Sequence, residues 1–155
     1  MAPPSDDSKN RESRRIDMST FVYKVNPNGQ VGHYVGDWFN FFDGPQPSAW
    51  GLAEVVCTQY RPEAGDRIIC HQSNIREIVG TADVVGYDLG RLILQATEGP
   101  FPRGIKITVL KKIDERIRNL EAFQQGLIKT LYTISDSDAD YLLNRIKGFW
   151  MDAED

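Results

Sequence analysis

The stretch Gly65 to Val85, GDRIICHQSNIREIVGTADVV, decides the fold of this chain. Gly65-Asp66 is a turn signal, and it opens Arg67-Ile68-Ile69-Cys70-His71, a run rich in β-formers. After Gln72 to Glu77 comes a second apolar run, Ile78-Val79-Gly80-Thr81-Ala82-Asp83-Val84-Val85. The two runs predict an antiparallel pair whose connection carries Ser73 and Asn74. Cys70 and His71 are adjacent on the first strand, so they point to opposite faces of the sheet.

Working outward toward the amino terminus, Phe21-Val22-Tyr23-Lys24-Val25 reads as a first strand closed by the turn signal Asn26-Pro27-Asn28-Gly29. Val31 to Gly44 then carries Tyr34, Trp38, Phe39, Phe41 and Phe42, more rings than one face of a short segment buries, so some are expected to line a cavity. After Pro45 and Pro47, Ser48 suits the cap of a short helix, while Val55, Val56 and Thr58 suit a strand; both readings stand.

On the carboxyl side, Gly90 to Thr97 supplies another apolar strand. Ile105, Ile107 and Val109 alternate with Lys106 and Thr108 in the period-two pattern of a half-exposed strand. Asn119 to Gln125 predicts one or two helical turns and Leu131 to Thr133 a short strand. Ser135 with Asp138 three residues on predicts a helix start, and that helix runs to about Lys147. Many short strands with a few short helices favour a curled or closed sheet over a doubly wound one.

At 155 residues, with 41% hydrophobic and 26% charged residues, the chain has ordinary globular composition and one core. No apolar run approaches the roughly 20 residues of a spanning helix, and membrane partners are not expected. Residues 1–18 lack the apolar centre of a signal peptide and read as a disordered leader, residues 19–149 as the domain, and residues 150–155 as an acidic tail. A cytoplasmic location follows as the expectation. Cys57 and Cys70 are the two cysteines and are expected as buried thiols. With 18 basic and 22 acidic residues, the formal charge of −4 requires any nucleic-acid contact to use a local patch.

Catalytic patterns are not found. His33 and His71 are the histidines available as bases, and there is no G-x-S-x-G elbow. Cys70 and His71 face opposite ways and Cys57 and His33 stand at no ligand spacing, so no metal site is expected. No phosphate-binding glycine loop is present. Asp136, Asp138 and Asp140 have neither the glycine nor the closing glutamate of a calcium loop and read as a solvated helix start. The expectation is a protein without enzymatic activity or cofactor.

Three segments in the family's order, and a fourth toward the carboxyl end, carry a family resemblance. The Gly65 to Val85 stretch resembles the EVE pattern of Gly-Asp, apolar strand, His/Ser/Asn-bearing turn and Gly-containing strand. Phe21 to Pro27 resembles that family's first strand, and Ser48-Ala49-Trp50-Gly51 its pocket tryptophan segment. Leu120 to Ile134 is similar to its carboxyl-terminal region, so the resemblance runs from about Thr20 to Ile146. One departure is the Cys70-His71-Gln72-Ser73-Asn74 segment, where many EVE sequences carry an aromatic before the His-Ser-Asn turn. YTH and ASCH domains are related. The resemblance implies an α+β, PUA-like curled β-barrel of five to six strands with short flanking helices.

It also implies a pocket that takes in one flipped, modified nucleobase of the 5-methylcytosine, 5-hydroxymethylcytosine or N6-methyladenine type. Stacking on one ring contributes about 1–3 kcal/mol, comparable with the few kcal/mol needed to extrude a base, so a second wall and polar contacts are required. Trp50 is the candidate first wall. Trp38 leads for the second, with Tyr34, Tyr87 and Phe101 as alternatives. Ser73, Asn74 and Asn26 are the candidates for reading the base edge, although Ser-Asn and Asn-Pro equally make plain turns. Lys24, Arg76, Arg103, Lys106, Lys111 and Lys112 are candidate phosphate contacts, with Arg103 placed in a stiff Pro-Arg-Gly loop. DNA is favoured over RNA as the partner, with a separate nuclease or other effector supplying any restriction or defence chemistry. A PUA-like module for structured or modified RNA is the alternative; an ASCH-like enzyme and a protein-interaction domain are the remaining classes.

Overall fold

The computed structural model describes residues 19–25, 37–50, 62–88, 91–102, 105–124 and 131–150, with the side chains of Trp50 and Asp88 outside the description. Among the described residues, six strands form one mixed sheet: β1 (Thr20–Val25), β2 (Ser48–Trp50), β3 (Arg67–Gln72), β4 (Glu77–Asp88), β5 (Arg91–Glu98) and β6 (Leu131–Ile134), in the order β2-β5-β4-β3-β1-β6. β1 and β3 run parallel, and the other neighbours are antiparallel. The expected β3–β4 pair is present, with Arg67 opposite Asp83 and Gln72 opposite Glu77.

This is an α+β fold. β2 and β6 are the two edges, and no ladder joins them among the described residues, so the expected closure into a barrel is absent. Both edge strands are short, with three residues of β2 laddered to β5 and four of β6 to β1.

Among the described residues, five helical pieces accompany the sheet: α1 (Trp38–Asp43), α2 (Ile107–Ile113), α3 (Glu115–Arg118), a 3-10 turn (Glu121–Phe123) and α4 (Asp136–Lys147). The Ile105–Val109 segment is therefore a correction: its strand-like alternation gives way to helix α2. The winning pattern is Ile107 with Leu110, both buried at helical spacing, whereas Val109 is 44% exposed. Ser48–Trp50 form strand β2, so Ser48 does not cap a helix there, and the strand reading of Val55, Val56 and Thr58 lies outside the described residues. The α4 expectation holds in detail, because the Ser135 hydroxyl accepts from the Asp138 N–H at 3.1 Å and the helix ends at Lys147.

Each face of the sheet has its own core. Phe21, Tyr23, Val25, Ile68 and Cys70 face α1, where Trp38 and Phe41 pack onto them. Val22, Ile69 and Tyr132 face the helical layer, against Leu110, Ile117, Phe123 and Leu142. β1 is thus buried on both sides, and its near-continuous apolar run reflects that. Gly80 permits close approach on the first face, since a Cβ there would lie 2.4 Å from both the Glu98 carbonyl oxygen and the Phe42 ring. At the carboxyl end, the Trp150 ring packs 5.1 Å from Phe101, so packing extends through the first residue of the expected tail. The leader, residues 151–155 and Cys57 lie outside the described residues.

Candidate functional site

The carboxyl ends of the parallel strands β1 and β3 bring together residues that sequence distance separates. Their register pairs Lys24 with His71 and Val25 with Gln72. His71 points into the helical side, with its ring 5.9 Å from Phe123, while Cys70 belongs to the opposite core. The opposite-face expectation for these two is met, and burial pushes the Cys70 thiol well above its ordinary value.

Lys24 is half-buried, with its ammonium 4.7 Å from the centre of the Tyr132 ring and 5.6 Å from that of Phe123. Burial lowers its pKa, and the nearby Lys111 lowers it further. The Lys111 ammonium donates to the Phe123 carbonyl oxygen. His71 is held down to about 3, first by burial and second by the Lys24 charge, so it is a neutral imidazole at physiological pH.

Ser73 leaves β3 half-buried. Its N–H donates to the Val25 carbonyl oxygen at 2.7 Å and its hydroxyl lies 3.4 Å from His71 Nδ1. Asn74 and Arg76 are exposed in the same turn, and Arg76 has φ 58°, a left-handed conformation unusual for a residue with a side chain. The turn is held from two directions. The Arg76 N–H donates to the Gln72 carbonyl oxygen at 2.8 Å, and the Lys106 ammonium donates to the Ile75 carbonyl oxygen at 2.9 Å while lying 3.9 Å from Glu77. Lys106 thus braces the turn.

Trp38 has a different place from the one expected. It is fully buried, its ring set edge-on to Tyr23 at 5.2 Å and to Phe41 at 5.3 Å. Its indole N–H donates to the His71 carbonyl oxygen at 3.2 Å, and its backbone N–H donates to Gln72 Oε1 at 3.0 Å. In this structure Trp38 positions the end of β3 and offers no open face for stacking. Two of the three alternatives are also engaged: Tyr87 donates to the Pro62 carbonyl oxygen at 2.9 Å, and Phe101 packs on Trp150. Trp50 is the last residue of β2, opposite Leu92, and its ring lies outside the description, as do Asn26, Tyr34 and Arg103 entirely. Lys112 is exposed on α2.

The structure therefore unites Lys24, Ser73 and Asn74 and adds His71, Phe123 and Tyr132, which sequence reasoning had not assigned to the site. Hydropathy alternation places His71 and Lys24 on a sheet face, but the parallel pairing that puts them side by side has no local signal. The assembled groups are a half-buried hydroxyl, an exposed carboxamide, a buried unprotonated imidazole and a partly desolvated cation, backed by two rings that are themselves buried.

No family model matches this chain, and no curated protein matches it. Among solved structures it is similar to the crystal structure of protein Atu2648 from Agrobacterium tumefaciens, a structural-genomics target. The superposition has a TM-score of 0.62 at 13% identity and covers 82% of this chain and 92% of that one. The likeness is one of fold.

Proposed function

We propose that this chain is a non-catalytic nucleic-acid-binding module of the EVE, PUA-like type that recognises a flipped, modified base, in DNA more than in RNA. The observation that carries the reading is the meeting of Lys24, His71 and Ser73 with Phe123 and Tyr132 at the ends of β1 and β3. Phe123 and Tyr132 are themselves buried, at 4% and 2% exposure, so they back the polar groups, and an extruded base would meet the half-buried Ser73 hydroxyl and the exposed Asn74 carboxamide at the rim. The turn bearing Asn74 and Arg76 then lies toward the polymer; Trp50, the expected stacking wall, stands on edge strand β2 opposite Leu92, with β5 and β4 between it and β3, so its role is tested apart from this turn.

A binding role rather than a catalytic one is supported by His71. General bases work best with a pKa near the operating pH, and a value of about 3 makes this imidazole a weak one. As a neutral donor or acceptor it suits recognition of an uncharged base. Any strand cleavage linked to binding belongs to a separate effector.

The test is a set of matched duplexes and single strands carrying unmodified, 5-methyl, 5-hydroxymethyl or N6-methyl bases, titrated at two salt concentrations with the wild type, Trp50→Ala and Asn74→Ala. One modified base should be preferred at both salts; loss of that preference in Asn74→Ala supports the β3 turn as the base site, and loss in Trp50→Ala alone moves the base to the β2 edge. Equal weak binding to all duplexes that disappears with added salt overturns the reading; tighter binding to modified RNA than to DNA replaces the DNA ligand by RNA.

A further inference from the structure

We infer that Lys24 and Lys111, both brought against Phe123, form a two-cation subsite for a phosphate group of the bound nucleic acid. The inference rests on the proposed function and names which part of the polymer these two side chains hold. Lys24 comes from the end of β1 and reaches the ring of Phe123; Lys111 comes from α2 and reaches that residue's carbonyl oxygen. Both side chains are half-buried, so their ammonium groups are held in place by packing and do not sweep freely through solvent.

Arg67, Lys106, Arg116, Arg145 and Lys147 each have a carboxylate within ion-pair distance, whereas among the described residues Lys24, Arg76, Arg91, Lys111, Lys112 and Arg118 do not; of these, Lys24 and Lys111 are half-buried and the other four are exposed. Two like charges approaching each other in partly desolvated surroundings raise the energy of the charged forms. Burial first and Lys111 second lower the pKa of Lys24, and among the described residues no carboxylate lies within ion-pair distance of either ammonium. An ammonium has three donors, of which Lys111 directs one at Phe123, so N–H groups remain for phosphate oxygens. A phosphodiester beside the base site supplies the missing negative charge and has the oxygen acceptors to match.

The experiment has two arms on the full chain. In the first, inorganic phosphate is titrated while the ε-methylene resonances of the lysines are followed by NMR. Lys24 and Lys111 should shift together and saturably, and Lys111→Met should abolish the shift at Lys24 while the His71 ring signals stay in place. In the second arm, duplex affinity is measured against salt for wild type, Lys24→Met, Lys111→Met and the control Lys147→Met. Each of the first two should lower the slope of log affinity on log salt by about 0.9, and the control should leave it unchanged. Unsaturable shifts spread over all lysines, or unaltered slopes in both variants, overturn the subsite. The wild-type titrations test the base reading separately: saturable phosphate binding without any modified-base preference removes that reading and keeps the subsite.

Discussion

The indole N–H of Trp38 and the carbonyl oxygen of His71 are hydrogen-bonded at 3.2 Å, across the boundary between α1 and the end of β3. The same tryptophan's backbone N–H is taken by the buried Gln72 side chain, so α1 and the strand end are locked at two points. This lock sets the direction in which Ser73 and Asn74 leave the sheet. Trp38→Phe removes the donor, leaves the His71 carbonyl oxygen short of a partner and opens space in a close-packed core. Unfolding by urea should show a loss of about 2–4 kcal/mol, and affinity for the preferred nucleic acid should fall although the residue does not face it.

His71 predicts a pH dependence. Its folded pKa of about 3 lies below the ordinary value of 6.5, so the unfolded chain binds a proton that the native one refuses. The stability associated with the neutral ring is fully present above about pH 6.5 and is lost as pH falls toward 3. His71→Gln should flatten the decline in urea midpoint between those limits, and a wild-type His71 ring that titrates near its ordinary pKa in NMR would contradict the burial argument.

Gly80 tests the packing of the other face. In Gly80→Ala the new methyl meets the Glu98 backbone carbonyl as well as the Phe42 ring, and the backbone cannot retreat as a flexible side chain can. A loss of about 1–3 kcal/mol is expected in thermal or urea unfolding, with Phe42→Leu in the same chain restoring only part of it.

Arg76 separates strain from recognition. At φ 58° any side chain carries about 1 kcal/mol that glycine avoids. Arg76→Gly should therefore be at least as stable as Arg76→Ala, while both weaken nucleic-acid binding to the same extent because both lack the exposed guanidinium. Wild-type affinity in either variant would assign Arg76 to the turn alone.

Asp114 anchors the helical layer beneath the site. Burial raises its pKa, but hydrogen bonds from the Tyr141 hydroxyl at 2.7 Å, the Ile117 N–H at 3.1 Å and Arg145 at 2.8 Å, together with the Arg145 charge, outweigh that and leave it below the ordinary value. Because the folded pKa is depressed, this contribution is present above about pH 4 and is lost as pH falls through the folded value. Asp114→Ala should cost about 2–4 kcal/mol at neutral pH, since it removes a helix cap and strands two donors; the deficit should shrink in unfolding curves taken at pH 3.

Residue patterning alone settled much of this molecule. Alternation and turn chemistry between Gly65 and Val85 specify the β3–β4 hairpin, and Ser135 with Asp138 specifies the start of α4, because these signals act between residues close in the chain. The same local reading failed at Ile105 to Val109, where alternate isoleucines looked like a strand; the burial of Ile107 and Leu110 under the sheet selected a helix, and only packing against distant residues expresses that preference. The site divides in the same way. Ser73 and Asn74 were legible as a turn with polar side chains, but the parallel register that seats Lys24 beside His71, and the fold-back that lays Phe123 and Lys111 over them, depend on contacts between segments far apart in sequence. Trp38 shows why composition cannot assign a role to a ring: a tryptophan in an aromatic segment serves a pocket or a core equally well, and its two hydrogen bonds to the end of β3 place it in the core.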